Sequence, residues 1–486
     1  VTGPDHLLPA HQRGLLIGGE WREAGSGATF PVHDPADESV LAHVADGDEH
    51  DALDALAAAH AAQPAWAATP PRERAEILRR AFEMVTAAGD ELAELMSLEM
   101  GKTLAESKGE VTYGAEFLRW FSEEAVRIAG TWLPDPAGKN RILTIRKPVG
   151  PCLFITPWNF PLAMGTRKIA PALAAGCTCV VKPAALTPLT MLRFAAILQE
   201  AGVPDGVVNV VTTTDSSTFS STLMEDDRLR KVSFTGSTGV GRKLVEQSAH
   251  QLLRVSMELG GNAPFLVFED ADVDAAVEGA LLAKMRNMGE ACTAANRFLV
   301  HEDVAEEFAA KLTERMRALT VGRGQDEGVD VGPLIGPDAV ESVASLVTDA
   351  VHDGARLLCG GEAPDGPGFF YRPTVLADVP EESQINREEI FGPVAPITTF
   401  ASEEEAVRMA NGTEYGLVSY AFTRDVSRTV RLAESLESGM LGVNTGLVSN
   451  AAAPFGGVKH SGFGREGGFE GIEEYVETMY VSMPAG

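Results

Sequence analysis

Apolar residues recur at spacings of three and four across residues 51–68 and 72–100, with charged residues between them, and this periodicity predicts amphipathic helices. The residues before them carry no sustained pattern and read as loop-rich. From residue 149 the pattern changes to short apolar runs alternating with amphipathic stretches. Residues 151–156, 178–182, 207–211, 231–234 and 254–258 read as strands, with helices at 166–175, 188–201 and 240–249 between them. Such βαβ alternation predicts a doubly wound parallel sheet. A second series follows residue 271, with strands at 297–300, 416–422 and 439–443. No long Pro/Gly/Ser linker parts the two series, so the domains are expected to pack tightly, and no solenoid repeat is found.

Residues 130–148 and the tail after Gly464 fit neither series. Each contains an alternating stretch, Arg141-Ile142-Leu143-Thr144-Ile145 and Tyr475-Val476-Glu477-Thr478-Met479-Tyr480-Val481. Paired together they would form an edge ribbon, and exposed apolar edges invite a second subunit. Two local hairpins are the alternative. Residues 149–166 are uncharged and long enough to suggest a membrane span. Pro151, Pro157, Asn159 and Pro161 break that run, so it reads as a buried strand followed by a loop.

Composition narrows the function classes. A chain of 486 residues exceeds what one core organises, so two or three domains are expected. Forty basic against 69 acidic residues give a net charge of −29, which argues against nucleic acid or an anionic membrane as partner. The five cysteines, Cys152, Cys177, Cys179, Cys292 and Cys359, are sparse, odd in number and without zinc-type spacing. They point to free thiols in a reducing, cytoplasmic setting, with no metal site. The opening Val1-Thr2-Gly3-Pro4-Asp5 has no basic segment followed by an apolar one, so no signal peptide is expected.

The run Gly289-Glu290-Ala291-Cys292-Thr293-Ala294-Ala295-Asn296-Arg297 places a lone cysteine among small residues. Upstream, Glu258-Leu259-Gly260-Gly261-Asn262 and Pro157-Trp158-Asn159-Phe160-Pro161 offer a carboxylate and a carboxamide. A thiol, a general base and an amide donor suffice for acyl-thioester chemistry. Singly, each has a structural explanation: a core thiol, a salt-bridged strand end, a turn residue beside proline. Gly236-Ser237-Thr238-Gly239-Val240-Gly241 lies between a strand and a helix, where backbone amides can cradle a pyrophosphate. Arg242-Lys243 stand where a nucleotide-hydrolysing P-loop needs Lys-Ser/Thr, which disfavours that class.

With Leu16-Ile17-Gly18-Gly19-Glu20-Trp21, Val181-Lys182-Pro183-Ala184, Phe234-Thr235-Gly236-Ser237-Thr238, Glu388-Glu389-Ile390-Phe391-Gly392-Pro393 and Pro454-Phe455-Gly456-Gly457, these motifs run in order over nearly the whole chain. The chain resembles the aldehyde dehydrogenase superfamily, NAD(P)-dependent enzymes that oxidise aldehydes to acids. The resemblance implies an α/β fold in three parts. A doubly wound, Rossmann-like cofactor domain covers 1–129 and 149–257, an α/β catalytic domain covers 258–445, and a small β oligomerisation arm covers 130–148 and 465–486. Residues 446–464 form a return segment, and the arm implies a homodimer or homotetramer.

The resemblance also implies roles. Cys292 attacks the aldehyde, Asn159 and the Cys292 backbone N–H stabilise the resulting oxyanion, and Glu258 activates the water that releases the acid. Gly236 and Ser237 approach the cofactor diphosphate, Lys182 holds the adenosine ribose, and Glu389 binds the nicotinamide ribose. Phe391 and Trp158 flank the nicotinamide, and Thr156, Pro157 and Leu259 complete the cofactor contacts. Three residues past Lys182, NAD-preferring members commonly carry a glutamate that repels a 2′-phosphate. Here it is Ala185, so either NADP or NAD is admitted, and the balance tips slightly toward NADP.

Arg167 lies eight residues after Asn159 and Arg286 six before Cys292. Guanidinium groups near the reaction centre suit an aldehyde whose far end is a carboxylate. Arg167, Arg286 and Ser449 match the substrate-anchoring positions of superfamily members that act on succinate semialdehyde. Succinate semialdehyde is therefore the expected substrate, with glutarate semialdehyde or a broad range of aliphatic aldehydes as alternatives. Three features depart from the pattern: Glu290 replaces a common Gln, Ala294 replaces the second cysteine of a Cys-x-Cys pair, and Asn450-Ala451-Ala452-Ala453 is atypical. A carboxylate at 290 would raise the thiol pKa unless it points away. A thiol hydrolase would need a histidine beside Cys292, and none falls between His60 and His250 or in any motif. A non-catalytic cofactor-binding protein would have lost Cys292 or Glu258, and CoA-acylating relatives typically lack the glutamate.

Overall fold

The computed structural model describes residues 6–485, so the opening Val1–Asp5 read for a targeting segment lies outside the described residues. One sheet has eight strands, in the order Gly462–Phe463, Arg254–Glu258, Lys231–Thr235, Cys152–Ile155, Cys179–Lys182, Val208–Val210, Leu15–Ile17 and Glu20–Arg22. The strands from Arg254–Glu258 to Val208–Val210 pair in parallel, and the outer ones are antiparallel. Every residue of Cys152–Ile155, Cys179–Lys182 and Lys231–Thr235 is buried. Helices cover both faces of such a sheet, which is why these strands read as continuous apolar runs rather than alternating ones.

Three local differences from the sequence reading have physical causes. The loop-rich opening contains the strands Leu15–Ile17, Glu20–Arg22, Thr29–His33 and Val40–Ala45, too short for a period to register. The helical pattern at 72–100 is two helices, Pro71–Ala87 and Gly89–Met100, broken at Ala88 where ψ turns to 15°. Helix Ser216–Glu225 was not expected, because serine and threonine favour turns over helix interiors. Its N-cap supplies the order: the Asp215 side chain accepts from the Thr218 N–H at 3.0 Å.

The second sheet has seven strands, in the order Arg356–Cys359, Thr374–Ala377, Val394–Phe400, Ala295–His301, Ala263–Val267, Val418–Phe422 and Met440–Val443. All pair in parallel except Arg356–Cys359. Phe265 anchors its core, stacked on Phe422 at 5.0 Å and tilted against Phe298 at 5.2 Å. Only residues 259–262 separate the last parallel strand of the first sheet from Ala263–Val267 of the second. A cleft therefore opens at this crossing.

Strands Trp132–Pro134, Asn140–Pro148 and Val476–Pro484 form a separate three-stranded sheet. Ile145 lies opposite Met479, so the two alternating stretches do pair, and the local hairpin of 132–148 forms as well. Trp132 and Tyr480 are 62% and 61% exposed on this arm. The uncharged run 149–166 folds as a buried strand, a loop and the start of helix Ala163–Ala175. Among the described residues, no helix is long and apolar enough to cross a membrane.

Candidate active site

Helix Val273–Met285 delivers the chain to the nucleophile loop. Asn287 (φ 57°), Met288 (φ 55°) and Gly289 (φ 81°) then follow in the left-handed region. Such a conformation costs on the order of 1–3 kcal/mol at each non-glycine residue, and persists only where the surroundings over-determine it. Here the Asn287 N–H donates to Glu106 at 2.5 Å, and its side-chain amide donates to the Glu290 and Asn159 carbonyls at 2.9 and 3.2 Å. A Cβ on Gly289 would come within 2.2 Å of the Gly392 carbonyl oxygen. Gly261 admits the loop from the other side, since a Cβ there would meet the Cys292 carbonyl oxygen at 2.5 Å. The outcome is a partly exposed Cys292 on the wall of the cleft.

Cys292 shares a cavity of about 250 Å³ with Pro157, Trp158, Asn159, Gly236, Ser237, Glu258, Leu259, Glu389 and Phe391. Met164, Thr235 and Gly260 complete the lining, and sequence reasoning did not single them out. Burial pushes the Cys292 thiol up to about 12; Arg167 and Arg286 oppose the shift, while Glu389 and Glu258 add to it. Glu258 sits at the end of its strand, with both carboxyl oxygens buried and without a hydrogen-bond partner in the protein. Burial first, and then the nearby Glu466 charge, hold it well above the usual carboxylate range. A carboxyl with uncommitted oxygens is suited to accept a proton from water.

The Asn159 side chain donates to the Glu290 carbonyl at 2.9 Å. An amide carries two hydrogens, so one is left uncommitted on the wall of the cavity that holds Cys292. The Glu290 carboxyl itself points away from the thiol, accepting from the Ile335 N–H at 3.1 Å, and burial keeps it well above its ordinary pKa. The departure from the commoner glutamine thus turns a carboxyl to the Ile335 N–H, not to the sulfur.

On the cofactor side, Ser237 caps helix Thr238–Ser248, and the Gly236 N–H donates to the Glu258 carbonyl at 3.0 Å. Glu389 accepts from the Gly261 N–H at 3.0 Å, and burial lifts it to about 7. Phe391, at φ 52°, meets the Trp158 ring edge-on at 5.5 Å. Thr156, Lys182 and Ala185 do not line this cavity. Thr156 donates its N–H to the Lys182 carbonyl at 3.2 Å, and Ala185 is partly buried against the core. Lys182 is buried, reaches only the Pro183 carbonyl, at 3.2 Å, among the described residues, and is pushed down to about 8 by burial.

A second cavity, of about 240 Å³, is lined by Lys102, Glu106, Glu110, Tyr113, Phe160, Leu282, Arg286, Asn287, Leu447 and Ser449. Arg286 donates to the Ser449 hydroxyl at 3.0 Å and lies over the Phe160 and Tyr113 rings at 5.0 and 5.7 Å. Two of the expected anchors are therefore brought together. Arg167 is not among the residues lining this cavity. It is 1% exposed, ion-paired to Glu466 at 2.7 Å and stacked on Phe455 at 3.9 Å. Burial opposes its charge, but Glu466 holds it above the ordinary guanidinium range.

Residues 21–481 match the model of the aldehyde dehydrogenase family. The chain belongs to that family. It is an NAD(P)-dependent aldehyde dehydrogenase. It is 62% identical over 444 residues to a succinate-semialdehyde dehydrogenase of Paenarthrobacter nicotinovorans, covering 91% of this chain and 99% of the relative. It is 48% identical to a glutarate-semialdehyde dehydrogenase of Pseudomonas putida, covering 96% of each chain. The structure of an NADP-dependent enzyme from Escherichia coli superposes with a TM-score of 0.97 at 47% identity, covering 99% of each chain.

In this dehydrogenase the second cavity also takes side chains that sequence reasoning missed from the helical part of the chain before residue 130. Lys102, Glu110 and Tyr113 lie at or on helix Leu104–Glu124, where charges and an aromatic at helical spacing read as an ordinary amphipathic face. No local signal marks them, because their partners are Asn159, Leu162 and Arg286, far along the chain.

Proposed function

We propose that this dehydrogenase oxidises succinate semialdehyde to succinate, with NADP slightly favoured over NAD. The observation that carries the substrate is Arg286 held on Ser449 at 3.0 Å, in a cavity with aromatic and apolar walls close to the nucleophile loop. A guanidinium held by a hydroxyl keeps donors for a carboxylate, and the cavity's own Glu106 and Glu110 are committed to the Asn287 N–H and to Lys102. Similarity to the Paenarthrobacter relative supports the same substrate. Glutarate semialdehyde, one methylene longer, is the second reading, supported by the similarity to the Pseudomonas relative.

The Cys292 thiolate, favoured chiefly by Arg167 and less by Arg286, adds to the aldehyde carbon to give a thiohemiacetal. Its oxygen accepts hydrogen bonds from the free Asn159 amide N–H and the Cys292 backbone N–H. A bound nicotinamide would supply the hydride acceptor, and with the hydride gone Cys292 carries the acyl group as a thioester. Glu258 then removes a proton from water; the hydroxide displaces the sulfur, and the acid departs. Gly236, Ser237, Lys182 and Glu389 would hold the dinucleotide. The orphaned Thr235 hydroxyl in the cleft and the nearly unpartnered Lys182 ammonium fit a polar ligand there. Ala185 presents no carboxylate to a 2′-phosphate. The arm, with its exposed Trp132 and Tyr480, supports a homodimer or homotetramer, and five free thiols support a cytoplasmic setting.

Reduced-cofactor absorbance decides the matter: succinate semialdehyde, glutarate semialdehyde and hexanal are each assayed with NADP and with NAD. The expected order of kcat/KM is succinate semialdehyde, then glutarate semialdehyde, then hexanal, with NADP ahead of NAD. A preference for hexanal would overturn the substrate.

A further inference from the structure

Among the buried cations to which the chemistry just described gives no role, Lys102 lies against the main chain of Asn159. Lys102 follows Gly101, which ends helix Gly89–Met100 in the left-handed region at φ 92°, and precedes Thr103, the N-cap of helix Leu104–Glu124. Its residue is 0% exposed. The ammonium donates to Glu110 Oε2 at 2.6 Å and to the Asn159 carbonyl oxygen at 2.7 Å, and it lies 4.3 Å from the centre of the Phe160 ring. The other oxygen of Glu110 accepts from the N–H groups of Leu162 and Ala163 at 2.9 and 3.1 Å. One ion pair therefore grips the bend at residues 159–163 from both ends.

A buried ion pair gives up its hydration, and a well-packed apolar pair of similar volume is often at least as stabilising. Stability alone is thus a poor account of Lys102. Geometry offers a better one. The Asn159 side chain is set by the Glu290 carbonyl at 2.9 Å, while its main chain is set by Lys102 and by the Asn287 amide at 3.2 Å. With backbone and side chain both fixed, the remaining amide hydrogen has one direction.

We infer that Lys102, clamped by Glu110, is a positioning residue for the oxidation, fixing the Asn159 main chain so that its free amide hydrogen meets the oxygen of the Cys292 adduct. The inference rests on the reading of Asn159 as the oxyanion donor. A misplacement of about 1 Å costs on the order of a hundredfold in rate.

The test compares full-length wild type, Asn159→Ala, the Lys102→Met/Glu110→Gln pair and the triple variant. The pair removes both charges of the ion pair together, so that neither is left buried without the other. The hydride burst is read under saturating cofactor and the aldehyde that wild type turns over fastest. The pair should slow the burst by about a hundredfold while KM moves by less than about threefold. In the Asn159→Ala background the same pair should cost less than about threefold, because residues acting through one contact are not additive. Equal slowing in both backgrounds, or a raised KM with an unchanged burst, would overturn the positioning role while leaving Asn159 intact. An unchanged burst in Asn159→Ala would remove the donor reading, and the positioning role with it. Should the pair not fold, Lys102→Arg takes its place in the same two-background comparison.

Discussion

Arg286→Ala isolates the contact on which the substrate rests. The guanidinium is held by Ser449 at 3.0 Å and by the faces of Phe160 and Tyr113, and no carboxylate pairs with it among the described residues. Removing it strands no buried partner charge, so the fold should tolerate the change. What is lost is a charge-assisted contact to the substrate carboxylate, worth roughly 1.5–3 kcal/mol. At 1.4 kcal/mol per factor of ten, that predicts a rise in KM for succinate semialdehyde of about tenfold to 150-fold. Hexanal has no carboxylate to lose, and its kcat/KM should stay within about threefold, the error expected of a packing change. Steady-state cofactor reduction on the two aldehydes, with thermal melts alongside, supplies the comparison. Equal losses on both substrates with an unchanged melt would refute the assignment of Arg286 to the carboxylate.

Arg167→Ala should behave differently, because it removes a buried partner of Glu466 and leaves only Lys168, at 2.5 Å, to balance it. A loss of about 3 kcal/mol in stability is expected, with activity depressed on hexanal and semialdehyde alike; a selective KM effect would restore it as a direct anchor. Glu258→Gln should keep a stoichiometric burst of reduced cofactor but slow turnover by at least about a hundredfold, since only deacylation needs the base; parallel loss of both would make Glu258 a positioning residue. Ala185→Glu should shift preference toward NAD by repelling a 2′-phosphate, and an unmoved NADP/NAD ratio would show that this position does not face the ribose. With the Cys292 thiol pushed up to about 12, its thiolate fraction below that value rises with pH. Iodoacetamide inactivation without nucleotide should accelerate about tenfold per pH unit between pH 7 and 10; a plateau near pH 8 would mean the thiol is already ionised.

Residues whose meaning is local were legible from the chain alone. Five parallel strands, the helices between them and the strand-to-helix turn at Gly236-Ser237 follow from short apolar runs and glycine placement. The short segment 259–262, which joins the two sheets, carries the Glu258 motif, so the cleft and its base are close in the chain itself. The run around Cys292 was equally readable, although its left-handed Asn287 and Met288 were not, since neither residue type demands that conformation. Short strands before residue 50 and the Ser/Thr-rich helix Ser216–Glu225 escaped, because packing and a single Asp215 cap outweigh weak propensities there.

Charge pairing was invisible in one dimension. The sequence presents Arg167 and Arg286 as equivalent flanks of the reaction centre, but burial beside Glu466 commits one and leaves the other open to the cavity. Glu290 could equally have faced the thiol; the chain turns its carboxyl to the Ile335 N–H instead. Lys102 and Glu110 are ordinary helix-spaced charges until folding closes them on Asn159. By itself the sequence determined the fold class, because backbone periodicity and glycine-bounded turns act between near neighbours, and its ordered motifs marked Cys292, Glu258 and Asn159 as candidates through their resemblance to a family. Only the tertiary structure decided which charged side chains line a cavity and which are tied into the frame, because that depends on the dielectric and partners each one meets after the chain has closed.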